Sequence, residues 1–130
     1  MSRIIVLDDD REITSLVGDA LRSEGYEVFT ADDGRIGLSS AHYTPVDLLI
    51  TDLVMPGMEG IETIRRFRRE FPRIPIIAIS GNPNVGSALD TAIRLGAVRT
   101  LSKPFQPQEL VELVKSVLPG INPSNSPETS

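Results

Sequence analysis

The 130-residue chain contains no cysteine, which excludes disulfides, a thiol nucleophile and a thiolate metal site. It also lacks any run near the roughly 18 apolar residues that a membrane span requires, so no membrane insertion is expected. The opening MSRIIVLDDD offers only four consecutive apolar residues before three acids. That is too short for the core of a secretory signal, and a cytoplasmic protein is expected. Basic charge is scarce as well: 13 Lys and Arg stand against 18 Asp and Glu, for a net charge of −5. Such a balance argues against a nucleic-acid surface, which needs cations to neutralise phosphates. Neither G-x-G-x-x-G nor G-x-x-x-x-G-K-[ST] follows any strand candidate, so a nucleotide- or flavin-binding module lacks its phosphate loop.

What is present is ordinary for a soluble globular domain, with 40% hydrophobic and 24% charged residues. The length suits a single core. Residues 1–118 are expected to form that domain, and the proline- and serine-rich PGINPSNSPETS (119–130) a disordered tail or linker. Five strand candidates, RIIVL (3–7), YEVFT (26–30), DLLIT (47–51), IPIIAIS (74–80) and VRTL (98–101), alternate with helical spacing. Ile13, Leu16, Val17, Ala20 and Leu21 form one stripe, and Val85, Ala88, Leu89, Ala92 and Ile93 another. Ile61, Ile64, Phe67 and Phe71 make a third, and Leu110, Leu113, Val114 and Val117 the last. Residues 33–42, with Ile36 and Ala41, carry the faintest pattern.

Strict alternation implies an α/β fold with a doubly wound five-stranded parallel sheet and helices on both faces. Strands 1, 3 and 4 are continuous apolar runs and belong inside; strands 2 and 5 mix in charge and hydroxyls and belong at the edges. The flavodoxin-like order 2-1-3-4-5 satisfies this, with its switch point between strands 1 and 3. In such sheets ligands bind beyond the carboxyl ends of the strands. Strand 1 runs into Asp8, Asp9 and Asp10, strand 3 into Asp52, strand 4 ends on Ser80, and Lys103-Pro104 follows strand 5. One acid at a strand end is an everyday loop marker, but acids, a hydroxyl and an ammonium on one rim are not. Two carboxylates about 4 Å apart repel by roughly 4 kcal/mol at an effective dielectric near 20. Converging acids therefore call for a hard cation such as Mg2+, which takes carboxylates, waters and a phosphate oxygen. Together with a lysine and a hydroxyl, they describe a site that receives a phosphoryl group on a carboxylate.

Over residues 3–118 the chain resembles the receiver domain of bacterial two-component response regulators. The motifs that carry the resemblance are IIVLDDD, DLLITDLVMPGMEG, PIIAISG, RLGA and LSKPF, in that order. The resemblance implies that Asp52 is the phosphoacceptor, with Asp8 and Asp9 as the acidic pair and Asp9 the more direct metal ligand. It implies that the Val54 carbonyl completes the Mg2+ shell, that Ser80 binds a phosphoryl oxygen, and that Lys103 is the family lysine, joined to Pro104 by a cis peptide. It implies a phosphoryl donor, either a histidine kinase or a histidine phosphotransfer protein, and an unknown downstream protein target. The alternative within the family is a degenerate receiver, a protein-interaction module independent of phosphorylation. The chain would be a stand-alone regulator or the receiver piece of a longer protein. It would be no enzyme on external substrates, only a self-catalysed acceptor that loses its phosphoryl group again.

Asp10 falls outside the acidic pair and is expected to cap the first helix. PGMEG is expected to turn the chain near the metal, with Gly57 and Gly60 as its permissive residues. Three residues before the lysine the family usually has an aromatic; here it is Thr100. Signalling is therefore expected to use the 85–118 face without a ring flip. Gly81 stands where a larger residue is usual, which would leave the site open to water. A phosphatase with an aspartyl nucleophile would need an acid two residues after Asp52, and that position is Val54. His42 and the run RRFRRE (65–70) read as solvated or structural, the latter laced by Glu62 and Glu70.

Overall fold

The computed structural model describes residues 2–53, 60–81 and 86–118. Strands β1 (Arg3–Leu7), β2 (Glu27–Ala31), β3 (Leu48–Asp52), β4 (Ile76–Ser80) and β5 (Arg99–Ser102) alternate with five helices. The helices are α1 (Arg11–Ser23), α2 (Gly34–Tyr43), α3 (Gly60–Glu70), α4 (Gly86–Leu95) and α5 (Pro107–Val117). The strands form one sheet in the order β2-β1-β3-β4-β5, every pair parallel, as the apolar runs predict. All residues of β3 and β4 are buried, whereas β2 and β5 are partly exposed along their length.

Strand alternation divides the core in two. Ile4, Val6, Leu48, Ile50, Ile77 and Ile79 pack against α1 and α5 through Val17, Leu21, Leu110, Val111 and Val114. Ile5, Leu7, Leu49, Ile76 and Ala78 face the other way, against Leu38, Ala41, Ile64, Phe67 and Ala92 of α2, α3 and α4. Asp10 is the N-cap of α1, its carboxylate accepting from the Glu12 and Ile13 amides at 2.9 and 3.4 Å. Asp33 does the same for α2, accepting from Arg35 N at 2.8 Å.

Some members of the helical stripes are not core. Leu16 of α1, Ile36 of α2 and Ile93 of α4 are among the exposed large hydrophobics. Leu16 lies at the edge of the arc that Val17 and Leu21 bury, whereas Ile36 lies nearly opposite the buried face of α2. Ile36 was half of the apolar signal for α2, and the helix instead buries Gly34, Gly37, Leu38 and Ala41. A Cβ on Gly37 would lie 2.8 Å from the Leu7 methyls, so the glycine allows α2 to sit directly on β1. Tyr26 precedes β2 rather than opening it and is buried, while Val98 precedes β5 and is exposed. His42 meets Glu70 at 2.6 Å and the Phe71 ring at 4.8 Å. Arg65 pairs with Glu62 at 3.8 Å and Arg66 with Glu70 at 3.5 Å, so RRFRRE is the ion-paired face its spacing suggests.

Gly57 and the tail 119–130 lie outside the described residues. Gly60 matters for close approach and not for a left-handed backbone: positive φ is confined to Gly25 and Gly96 among the described residues. A Cβ on Gly60 would run into the Asp52 carbonyl oxygen and the Leu53 Cα, which are backbone and cannot swing away. Gly60→Ala is therefore expected to destabilise the fold by about 2 kcal/mol or more, despite alanine's better helix propensity. Urea unfolding measures this, and an unchanged midpoint would show that α3 shifts freely.

Candidate functional site

The carboxyl end of the sheet gathers four of the expected residues in contact range. Asp8, just past β1, is buried, and its backbone N–H still reaches Ala31 O at 3.1 Å. Its Oδ1 accepts from the Asp10 amide at 2.9 Å, and its Oδ2 lies 2.8 Å from Lys103 Nζ. Asp52, the last residue of β3, is also buried, and Lys103 Nζ donates to its Oδ2 at 2.9 Å. Asp9 is exposed. Carboxylate oxygens of Asp8, Asp9 and Asp52 nevertheless come within 4.8 Å of one another.

Ser80 closes β4 and is 3% exposed. Its carbonyl accepts from the Lys103 backbone N–H at 2.8 Å, so the lysine leaves β5 tied to the end of β4. The Lys103-Pro104 peptide is cis, as expected from the resemblance. Gly81 follows Ser80 and is exposed. A Cβ there would lie 3.1 Å from Lys103 Cδ, so the missing side chain makes room for the lysine stem. Val54 lies outside the described residues.

The electrostatics follow from burying more acid than base. Burial drives the Asp8 carboxyl up to about 6; contact with Lys103 and the Asp10 amide pull it down, and the Asp52 charge adds to the rise. For Lys103, burial acts against the charge, but contacts with Asp8 and Asp52 outweigh it and hold the ammonium above its ordinary value. One lysine compensates its two buried partners incompletely, and three oxygen donors within 4.8 Å suit a hard divalent cation.

Thr51 was not among the expected residues. It is fully buried, and its hydroxyl donates to the Asp52 carbonyl at 2.9 Å. A polar residue inside the apolar run LLITD was the available signal, and it was masked by the β propensity of threonine.

A doubly wound sheet with an acid and lysine cluster at its carboxyl rim defines the class: an α/β domain of flavodoxin-like topology. A family model for the response regulator receiver domain matches residues 4–115, and the chain belongs to that family. It is 38% identical over 120 residues to the transcriptional regulatory protein CpxR of Escherichia coli (strain K12), covering 91% of this chain and 50% of CpxR. It is 32% identical to the alkaline phosphatase synthesis transcriptional regulatory protein PhoP of Bacillus subtilis (strain 168), covering 89% of this chain and 48% of PhoP. The chain thus spans about half the length of these curated relatives. Among solved structures, the chemotaxis response regulator CheY4 of Vibrio cholerae matches with a TM-score of 0.82 at 31% identity, over 90% of this chain and 98% of that one. NtrX from Brucella abortus matches with a TM-score of 0.84 at 30% identity, over 92% of this chain and 27% of NtrX. Among the described residues no helix is long and apolar enough to cross a membrane.

The Asp8 shift carries a stability consequence. Protonation is easier in the fold than in the unfolded chain, so its contribution is complete below 3.8 and is lost as pH rises through about 6. Asp8→Asn is expected to melt about 3–5 °C above the wild type at pH 7.5 in chelator, a scale set by domain size. That gap should close between pH 6 and pH 4. Thermal unfolding followed by circular dichroism measures it; a variant that melts lower at pH 7.5 would mean that the Lys103 pairing outweighs the burial.

Proposed function

We propose that this chain is a phosphorylation-controlled signalling module that accepts a phosphoryl group on Asp52 from a histidine kinase or a histidine phosphotransfer protein. The observation that carries the reading is the Asp52 carboxylate, buried at the end of β3 and held by Lys103 at 2.9 Å beside two further acids. In the transfer, an Asp52 carboxylate oxygen forms the new bond to phosphorus. The bond from phosphorus to the donor imidazole nitrogen breaks, and the imidazole keeps that electron pair and takes up a proton. Lys103 offers a fixed positive charge to the phosphoryl oxygens, and Ser80 a hydroxyl donor from the end of β4.

Asp8, Asp9 and Asp52 would hold Mg2+, with the Val54 carbonyl as a further ligand. The cation would supply neutralising charge and orientation to the phosphoryl oxygens. Asp8, raised to about 6 despite Lys103 and the Asp10 amide, fits this role. The chain acts as a self-catalysed acceptor in the cytoplasm, with loss of the phosphoryl group by hydrolysis, and not as an enzyme on external substrates. Residues 1–118 form the receiver, residues 119–130 a tail or linker, and the signal leaves through the 85–118 face. On that face Thr100 lines a shallow groove with Leu101, Glu109 and Leu113. A short β-branched side chain there implies a modest rearrangement.

Incubation with a small acyl phosphate and Mg2+ is expected to give one labile phosphoryl adduct by intact mass. Asp52→Asn should abolish it; an undiminished adduct would end the assignment. Without any adduct on the wild type, the phosphorylation-independent interaction module becomes the better reading.

Mg2+ binds only the native site, so it should raise the melting temperature over chelator. At a hundredfold excess over Kd the gain is about 2.7 kcal/mol, and Asp9→Ala should remove most of it. A wild type indifferent to Mg2+ would contradict the metal assignment.

A further inference from the structure

Thr51 is the one polar side chain between Leu48 and Asp52, and it has no solvent access. By alternation it shares the face of Leu49, which packs against α2, α3 and α4, whereas Asp52 follows the parity of Ile50. A hydroxyl in that position costs stability unless it is bonded. Its bond goes to the carbonyl of the next residue, Asp52, at 2.9 Å.

The other half of the same peptide is held too. The Leu53 N–H donates to Ile79 O at 3.0 Å. One residue on, the Leu53 carbonyl accepts from the Gly60 N–H at 3.2 Å, and a Cβ on Gly60 would collide with the Asp52 carbonyl oxygen. The peptide plane after Asp52 is thus fixed at both polar groups and pressed by the start of α3. That plane sets the direction in which the Asp52 side chain leaves the strand.

We propose that Thr51 is a positioning residue for phosphoryl acceptance: its buried hydroxyl locks the Asp52 peptide and so aims the carboxylate at Lys103 and the incoming phosphorus. This rests on Asp52 being the acceptor. The bond is made before any ligand arrives, so its contribution is preorganisation. Attack geometry is sensitive to displacements on the order of 1 Å, which cost up to about a hundredfold in rate.

The test uses Thr51→Val, which is isosteric and removes the hydroxyl, and Thr51→Ser, which keeps the hydroxyl and loses a methyl. The probe is a small acyl phosphate at saturating Mg2+, and the readouts are the rate of adduct formation and the melting temperature in chelator. Thr51→Val is expected to slow adduct formation roughly tenfold, and Thr51→Ser to restore it to within about twofold of the wild type. A core variant remote from the rim, Leu38→Ala, supplies the control. It should lose melting temperature at least as much as Thr51→Val while reacting at the wild-type rate below its melting point. Should Thr51→Val not fold, Thr51→Ala against Thr51→Ser carries the same comparison. A hydroxyl-free variant that reacts within twofold of the wild type, or a serine that fails to rescue, overturns the proposal. If the wild type forms no adduct, the acceptor reading fails and takes this role with it. An adduct on the wild type with an equally fast Thr51→Val sinks the role of Thr51 alone.

Discussion

The rim of this sheet depends on one ammonium group. Lys103 Nζ stands 2.8 Å from Asp8 and 2.9 Å from Asp52, both buried carboxylates. At an effective dielectric near 20, each contact at about 3 Å is worth roughly 5–6 kcal/mol of attraction, against at least ~3 kcal/mol of repulsion between acids under 5 Å apart. The lysine therefore makes it possible to end two central strands on acids. Much local sequence serves to place it. β5 pairs with β4 in parallel register, the Lys103 backbone bonds Ser80, and Gly81 clears the path of the stem.

Compensation is incomplete by design of the site, because one cation cannot satisfy three acids. Asp8 bears the difference, with its carboxyl driven up to about 6 chiefly by burial. Such a group gains from any additional positive charge placed beside it, which is the physical reason a divalent cation belongs in the reading of this rim. The cost is offset by two apolar layers beneath the rim. Each face of the sheet buries its own cluster, one under α1 and α5, the other under α2, α3 and α4.

The sheet was legible because burial leaves a direct mark on strands. IIVL, LLI and IIAI carry no polar residue, and they became the buried centre; YEVFT and VRTL do, and they became the edges. The rim was legible because chemistry-bearing residues recurred at strand ends, where the fold rule places ligands. Helix faces were less so. Leu16 and Ile93 fit the helical period yet are exposed, since period alone does not reveal how wide a stripe the sheet covers. α2 was faint because two of its contact positions are glycines, Gly34 and Gly37, and close approach leaves no hydrophobic signal. At Gly81 too the neighbour is distant in sequence, a lysine stem that a Cβ would crowd.

The same contacts decide how a charge arriving at Asp52 could be felt elsewhere. Lys103 is bonded through its side chain to Asp52 and through its backbone to Ser80. A group that drew the ammonium toward itself would weaken its hold on Asp8 and load the junction of β4 and β5. On the other side, the Asp52 peptide is bounded by Thr51 and by Gly60 at the start of α3. Two routes therefore leave the acid, one through a charge pair into the β4–β5 edge and one through backbone into α3. The first runs through a partly buried charge contact, the second through buried groups that a Cβ on Gly60 would strike. In the proposed phosphoacceptor, displacement along the charge pair would lead to β5 and its flanking helices, the side of the sheet where Thr100 lies.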